Sequence, residues 1–104
     1  MIVDDPILIR FRGAIKALYG DTIERIVLFG SRARGDAKPG SDYDIAVFLK
    51  EMEQFGIESE RLAEIETDIL LNTGAVINTL PFREGDWKKR TGFMHEVRSE
   101  GLDL

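Results

Sequence analysis

Two short apolar runs, Ile26-Val27-Leu28-Phe29 and Ile45-Ala46-Val47-Phe48-Leu49, bracket a polar stretch that reads Gly30-Ser31, Arg32-Ala33-Arg34-Gly35 and then Ser41-Asp42-Tyr43-Asp44. Runs of this length bounded by turn formers are buried strands rather than helices. The polar stretch therefore joins the end of one strand to the start of the next. Along the second strand, Asp42, Asp44, Ala46 and Phe48 fall on one face, and Tyr43, Ile45, Val47 and Leu49 on the other, because strand side chains alternate. Both faces turn apolar after the aspartates, so this strand enters the core with one polar end.

The rest of the chain alternates helical and strand patterns. Asp5-Pro6 reads as a helix start, with Asp as N-cap and Pro at the first helical position. Leu8, Phe11, Ile15 and Leu18 follow on one helix face, and Gly20 is the expected stop. Residues 23–29 form the first strand, Ser31 to Ala37 one or two helical turns, and Pro39-Gly40 a turn. Ser59 to Leu71 is a helix with Leu62, Ile65 and Ile69 inward. Ala75 to Leu80 is a third strand, expected to stop at Pro81. Asp86 to Arg98 reads as one broken or two short helices with Gly92 as the weak point. The fold expected is α+β: a small mixed β-sheet with helices packed mainly on one face.

The chain has 104 residues, which suits one domain over 1–104. A net charge of −5 argues against broad nucleic-acid binding, which leaves a basic footprint. With no cysteine, disulfides, thiolate metal sites and cysteine nucleophiles are excluded. The one histidine, His95, does not make a histidine-rich metal site. No apolar run approaches the ~20 residues of a membrane span, and the N-terminus has no basic region leading into an apolar core. A cytoplasmic location is expected.

The polar stretch has a chemistry of its own. A glycine at a strand end lets phosphate oxygens approach the backbone closely, and a following helical turn offers free N–H groups. Two same-face carboxylates opposite such a turn suit a hard cation, Mg²⁺ with a nucleoside triphosphate. Gly30 to Gly35 also has the spacing of a P-loop, but Asp36-Ala37 stands where Lys-Ser/Thr is required, which rules against that motif.

Gly30-Ser31, the Arg32-Ala33-Arg34-Gly35 stretch and Ser41-Asp42-x-Asp44 between two strands resemble the minimal nucleotidyltransferases of the DNA polymerase beta superfamily. The resemblance implies a palm-like nucleotidyltransferase core using ATP and Mg²⁺. Asp42 and Asp44 would be the catalytic, metal-holding pair, and Gly30, Ser31, Arg32, Arg34 and Ser41 would bind the nucleotide. The implied reaction moves a nucleoside monophosphate, AMP from ATP, onto an acceptor hydroxyl. The resemblance also implies pairing with a small helical HEPN partner in a toxin–antitoxin module, and leaves self-association open. The superfamily has a third carboxylate on a later strand. Here Asn78 is the nearest equivalent, a neutral group and a poor base. Glu66, Asp68 and Glu84 are the nearby acids that could replace it. The alternative reading is a degenerate module that binds nucleotide or partner without catalysis. His95, Trp87, Tyr43 and the run Lys88-Lys89-Arg90 read as packing or solvated surface.

Overall fold

The computed structural model describes residues 5–104. The expectation that the N-terminus starts no secretory signal falls partly on residues 1–4, outside the described residues.

Helix α1 (Pro6–Tyr19) begins where the sequence places it. Asp5 is the N-cap, its Oδ1 accepting from the Ile7 N–H at 2.8 Å, and Pro6 costs nothing at a position whose N–H has no helical partner. Leu8, Phe11 and Ile15 are buried, but Leu18 at the end of the same stripe stays exposed. After a 3-10 turn, strand β1 (Ile23–Phe29) leads into the short helix α2 (Ser31–Arg34), and strand β2 (Tyr43–Leu49) returns beside it. Helix α3 (Phe55–Thr73) is longer at both ends than its apolar stripe, and closes on Gly74 at φ +78°, a conformation that favours glycine. Strand β3 (Ile77–Arg83) follows, then a 3-10 segment (Glu84–Lys88), helix α4 (Gly92–Glu100) and the two-residue strand β4 (Leu102–Asp103).

The four strands lie in the order β3-β2-β1-β4, with β2–β3 parallel and the other two pairings antiparallel. The sheet is thus mixed, as expected. The side chains of Tyr43, Ile45, Val47 and Leu49 pack on one face against α1 and α3. Those of Ala46 and Phe48 pack on the other, with Val27, against Met94 and Val97 of α4. The two long helices share one face, and α4 with the Trp87 region covers part of the opposite one. An aromatic row supports that second layer: Phe48 stacks on Phe82 at 5.3 Å between centroids and meets the Trp87 ring edge-on at 5.5 Å. Burial of these residues, at roughly 25 cal/mol per Å² of apolar surface, is the main term holding both layers to the sheet.

Two expectations are corrected here. The third strand does not stop at Pro81 but runs through it to Arg83. Tyr43 N–H donates to the Val76 carbonyl, which turns the backbone of Asn78 and Leu80 toward β2 and that of Thr79 and Pro81 toward the open edge. An edge position needs no N–H from proline. The Glu66 side chain, reaching over from α3, takes up the outward Thr79 N–H at 3.0 Å and the Thr79 hydroxyl as well. With one donor capped and the next missing, the β3 edge is poorly suited to adding another strand. The C-terminal helical region is broken before Gly92 rather than at it. Thr91 is the N-cap of α4, its hydroxyl accepting from the Met94 N–H at 3.0 Å. The Thr-Gly pair carried that signal in the sequence. Strand β4, two residues long, is too short to leave a pattern in the sequence.

Gly101 ends α4 where a Cβ would collide with the Val97 carbonyl and a methyl group of Val27. Gly101→Ala should therefore destabilise the fold by about 1–3 kcal/mol in urea denaturation. Gly13→Ala, exposed in the middle of α1 with nothing near its Cβ, should instead stabilise it by about 0.5–1 kcal/mol.

Candidate active site

The sheet register assembles the site. Phe29, the last residue of β1, pairs with Asp44 on β2, and Asp44 pairs with Asn78 on β3. Three adjacent strands thus set the Gly30 turn, the aspartates and Asn78 side by side, at one end of the face that α4 leaves partly open. Asn78 donates its amide N–H groups to Asp42 Oδ2 at 3.0 Å and to Asp44 Oδ1 at 3.3 Å, so one side chain spans both carboxylates. The amide lies beside both carboxylates.

The alternative acids lie elsewhere. Glu66 is committed to Thr79 on the α1/α3 side of the sheet. Asp68 pairs with Arg10 at 3.3 Å and accepts from Asn72. Glu84 belongs to the 3-10 segment beyond the far end of β3. Among the described residues no three acids, histidines or cysteines gather as a metal cluster.

Gly30 has φ +76°, and a Cβ there would stand 2.6 Å from Asp44 Oδ2. Both facts restrict the position to glycine: the backbone is left-handed, and the turn is packed against the carboxylate. Its carbonyl accepts from the Ala33 and Arg34 N–H groups, which winds α2 directly off the end of β1. Ser31 opens that helix and is half-buried.

The two arginines are engaged within the protein. Arg32 donates from Nε and Nη2 to the Ser41 carbonyl at 2.9 and 2.8 Å, and its guanidinium carbon lies 3.9 Å from the centre of the Tyr43 ring. Arg34 turns outward to Asp36 at 3.3 Å and Glu100 at 3.2 Å. The hydrogen bond to Glu100, and then that to Asp36, hold its guanidinium even more firmly protonated than usual. Ser41 uses its hydroxyl to accept from the Lys38 N–H at 2.9 Å, closing the turn that contains Pro39-Gly40.

Tyr43 reads as core and is buried, yet it does more than fill space. Its hydroxyl donates to Asp5 Oδ2 at 2.7 Å, so Asp5 caps α1 with one oxygen and anchors β2 with the other. Burial first, and then the bond to Asp5 and its charge, push the phenol up to about 12. No sequence signal tied residue 5 to residue 43; the pairing exists because α1 packs across the start of β2. His95 lies exposed on α4 within 3.5 Å of the Ser99 hydroxyl, and Trp87 packs between Phe48 and the guanidinium of Arg25.

A site for Mg²⁺ requires hard oxygen donors, of which the protein supplies only one or two carboxylates and the substrate and water supply the rest. Asp42 and Asp44 fit that requirement.

Comparison with known proteins places the chain. Residues 8–97 match the model of the family described as nucleotidyltransferase domain. Two proteins of Methanocaldococcus jannaschii, provisionally named protein adenylyltransferases MJ0141 and MJ0604, are similar. The first is 29% identical over 98 residues, covering 94% of this chain and 95% of that protein. The second is 33% identical over 96 residues, covering 90% of each. Among solved structures, a chain of a toxin–antitoxin complex with AMP-PNP superposes with a TM-score of 0.65 at 17% identity, over 96% of this chain and 71% of that one. A chain from the complex of tri-AMPylated Shewanella oneidensis HEPN toxin with MNT antitoxin superposes at 0.56 and 16% identity, over 93% of this chain and 70% of that one. The sheet, the turn that follows β1 and the matched span together make the chain a member of the nucleotidyltransferase domain family.

Proposed function

We propose that this nucleotidyltransferase transfers AMP from ATP to a hydroxyl group of a partner protein, with Mg²⁺ held by Asp42 and Asp44. The observation that carries the reading is the row formed by Gly30, the two aspartates and Asn78 across three strands. It sets the glycine turn against Asp44 on one side of the carboxylate pair and the Asn78 amide on the other. The names of the two archaeal relatives support a protein as acceptor. The shared fold of the antitoxin complexes supports a helical protein of HEPN type as that partner.

In this reading the backbone at Gly30 and Ser31 receives the phosphate tail, and the absence of a side chain at Gly30 lets that backbone lie directly against Asp44. Bound Mg²⁺ would supply charge neutralisation of the triphosphate and of the pyrophosphate leaving group. The acceptor oxygen forms a bond to the α-phosphorus, the bond from that phosphorus to the bridging oxygen breaks, and pyrophosphate departs. Asn78 holds no negative charge with which to take the hydroxyl proton. Asp42, exposed and facing Asn78 through Oδ2, is the acceptor on that side. No described helix is long and apolar enough to cross a membrane.

A second reading has its own observation. Asn78 beside the two aspartates, with no third acid gathered there among the described residues, suits a domain that binds nucleotide or partner and transfers slowly or not at all.

Three measurements separate these readings. Calorimetry should show ATP binding that requires Mg²⁺, and Asp44→Asn should weaken it by about tenfold or more, as expected when a ligating charge is lost; unchanged affinity removes the metal from this site. Asn78→Asp should raise the rate of AMP transfer by about 10²–10⁴-fold, the range that a positioned general base contributes. A wild type that is already fast and gains nothing would mean that Asp42 suffices. Mass spectrometry of a HEPN-type protein co-expressed with this chain should find added AMP that disappears with Asp42→Ala. A partner that stays unmodified, yet is bound equally by wild type and Asp42→Ala, selects the binding reading.

A further inference from the structure

We propose that Arg32 is a positioning residue that fixes Asp42 for the cation, and that it is not a ligand of the triphosphate. The inference rests on the metal reading above and departs from the role that the sequence resemblance implies for this arginine.

The two aspartates are held by different means. Asp44 lies inside β2, paired with Phe29 on one side and Asn78 on the other, so the sheet itself places it. Asp42 lies one residue before the strand, at the end of a loop containing Gly35 and Gly40, both at φ +85°, and Pro39. A carboxylate in such a segment needs an anchor from elsewhere. Arg32 supplies it to both neighbours of Asp42 at once. Two of its N–H groups grip the Ser41 carbonyl, and the plane of the guanidinium lies over the Tyr43 ring. Tyr43 is fixed in turn through its hydroxyl to Asp5 and by burial under α1. The chain Asp5–Tyr43–Arg32–Ser41 thus ties the start of α1, the start of β2 and helix α2 around one aspartate.

This geometry needs arginine. Two parallel N–H donors and a flat cationic face are properties of a guanidinium, and an ammonium group supplies neither. The same engagement takes up the Nε–Nη2 edge and one face of the guanidinium, which a bidentate phosphate contact at that edge would need. Arg34, the other arginine of the stretch, is turned to Asp36 and Glu100. The triphosphate is left to the backbone turn and the cation.

The test uses the full chain with Arg32→Lys and Arg32→Met. Mn²⁺ affinity without nucleotide is read by electron paramagnetic resonance, ATP affinity in excess chelator by calorimetry, and backbone hydrogen exchange residue by residue. Both variants should bind Mn²⁺ about 10–100-fold more weakly, the range seen when a group orienting a metal ligand is removed. Metal-free ATP affinity should not change. Exchange should accelerate at residues 40–42 and stay as in wild type at residues 45–47, which also verifies that the sheet is intact. If Arg32→Lys keeps wild-type Mn²⁺ affinity and exchange, Arg32 does not position Asp42, and if Arg32→Met weakens metal-free ATP binding, Arg32 is a phosphate ligand; either result overturns the proposal. If the wild type itself binds neither Mn²⁺ nor ATP, the metal reading fails as well, and exchange at residues 40–42 alone still decides whether Arg32 anchors that segment.

Discussion

The double-sided burial of β2 is the constraint on which the rest depends. Its residues from Ile45 to Leu49 are all buried, which requires a helical layer on each face and a strand on each edge. The side chains of Ile45, Val47 and Leu49 fix where α1 and α3 lie, and those of Ala46 and Phe48 fix where α4 lies. A strand covered on both faces has one register that works, since a slip by one residue would exchange the two cores and bring Asp44 under the long helices. The site is therefore set by packing several residues away from it.

That arrangement also explains why the polar end of β2 can be exposed at little cost. The aspartates extend the face that α4 covers, but α4 lies over Val27, Ala46 and Phe48 and leaves the start of the strand open. The carboxylates keep access to water and avoid the desolvation that a buried pair would suffer. Their mutual repulsion is moderated by the Asn78 amide, whose N–H groups face both. One neutral side chain thus links the two like charges.

The loop between β1 and β2 shows how a small domain secures a site with few residues. Gly30 is forced by a left-handed φ and by contact with Asp44, Arg32 reaches back to the residues flanking Asp42, and Arg34 fastens α2 to α4 through Glu100. Each of these joins the loop to a different layer of the fold. The arginine-rich stretch, which in sequence suggests phosphate binding, spends its guanidinium groups on carbonyl, ring and carboxylate partners of the protein itself.

The elements whose local signals agree were legible in the chain. Asp5-Pro6 started α1, the runs ending at Phe29 and Leu49 were strands, and the alternation around Asp42 and Asp44 put both carboxylates on one face, because these depend on caps, apolar period and pleat alone. The Gly-Ser and Asp-x-Asp spacing was enough to indicate the family. Tertiary structure decided the rest. Pro81 remained in a strand because β3 is an edge, which no local pattern reveals. Glu66 and Asp68, near the site in sequence order, were drawn to other partners on the far side of the sheet, whereas Asn78 was set beside Asp44, 34 positions away in the chain, by parallel pairing. Arg32, Tyr43 and Asp5 form one brace only because α1 crosses the start of β2. The residue types at the site are a property of the sequence; which of them face the carboxylates, and which are committed to holding them in place, follows from how three strands and two helical layers pack.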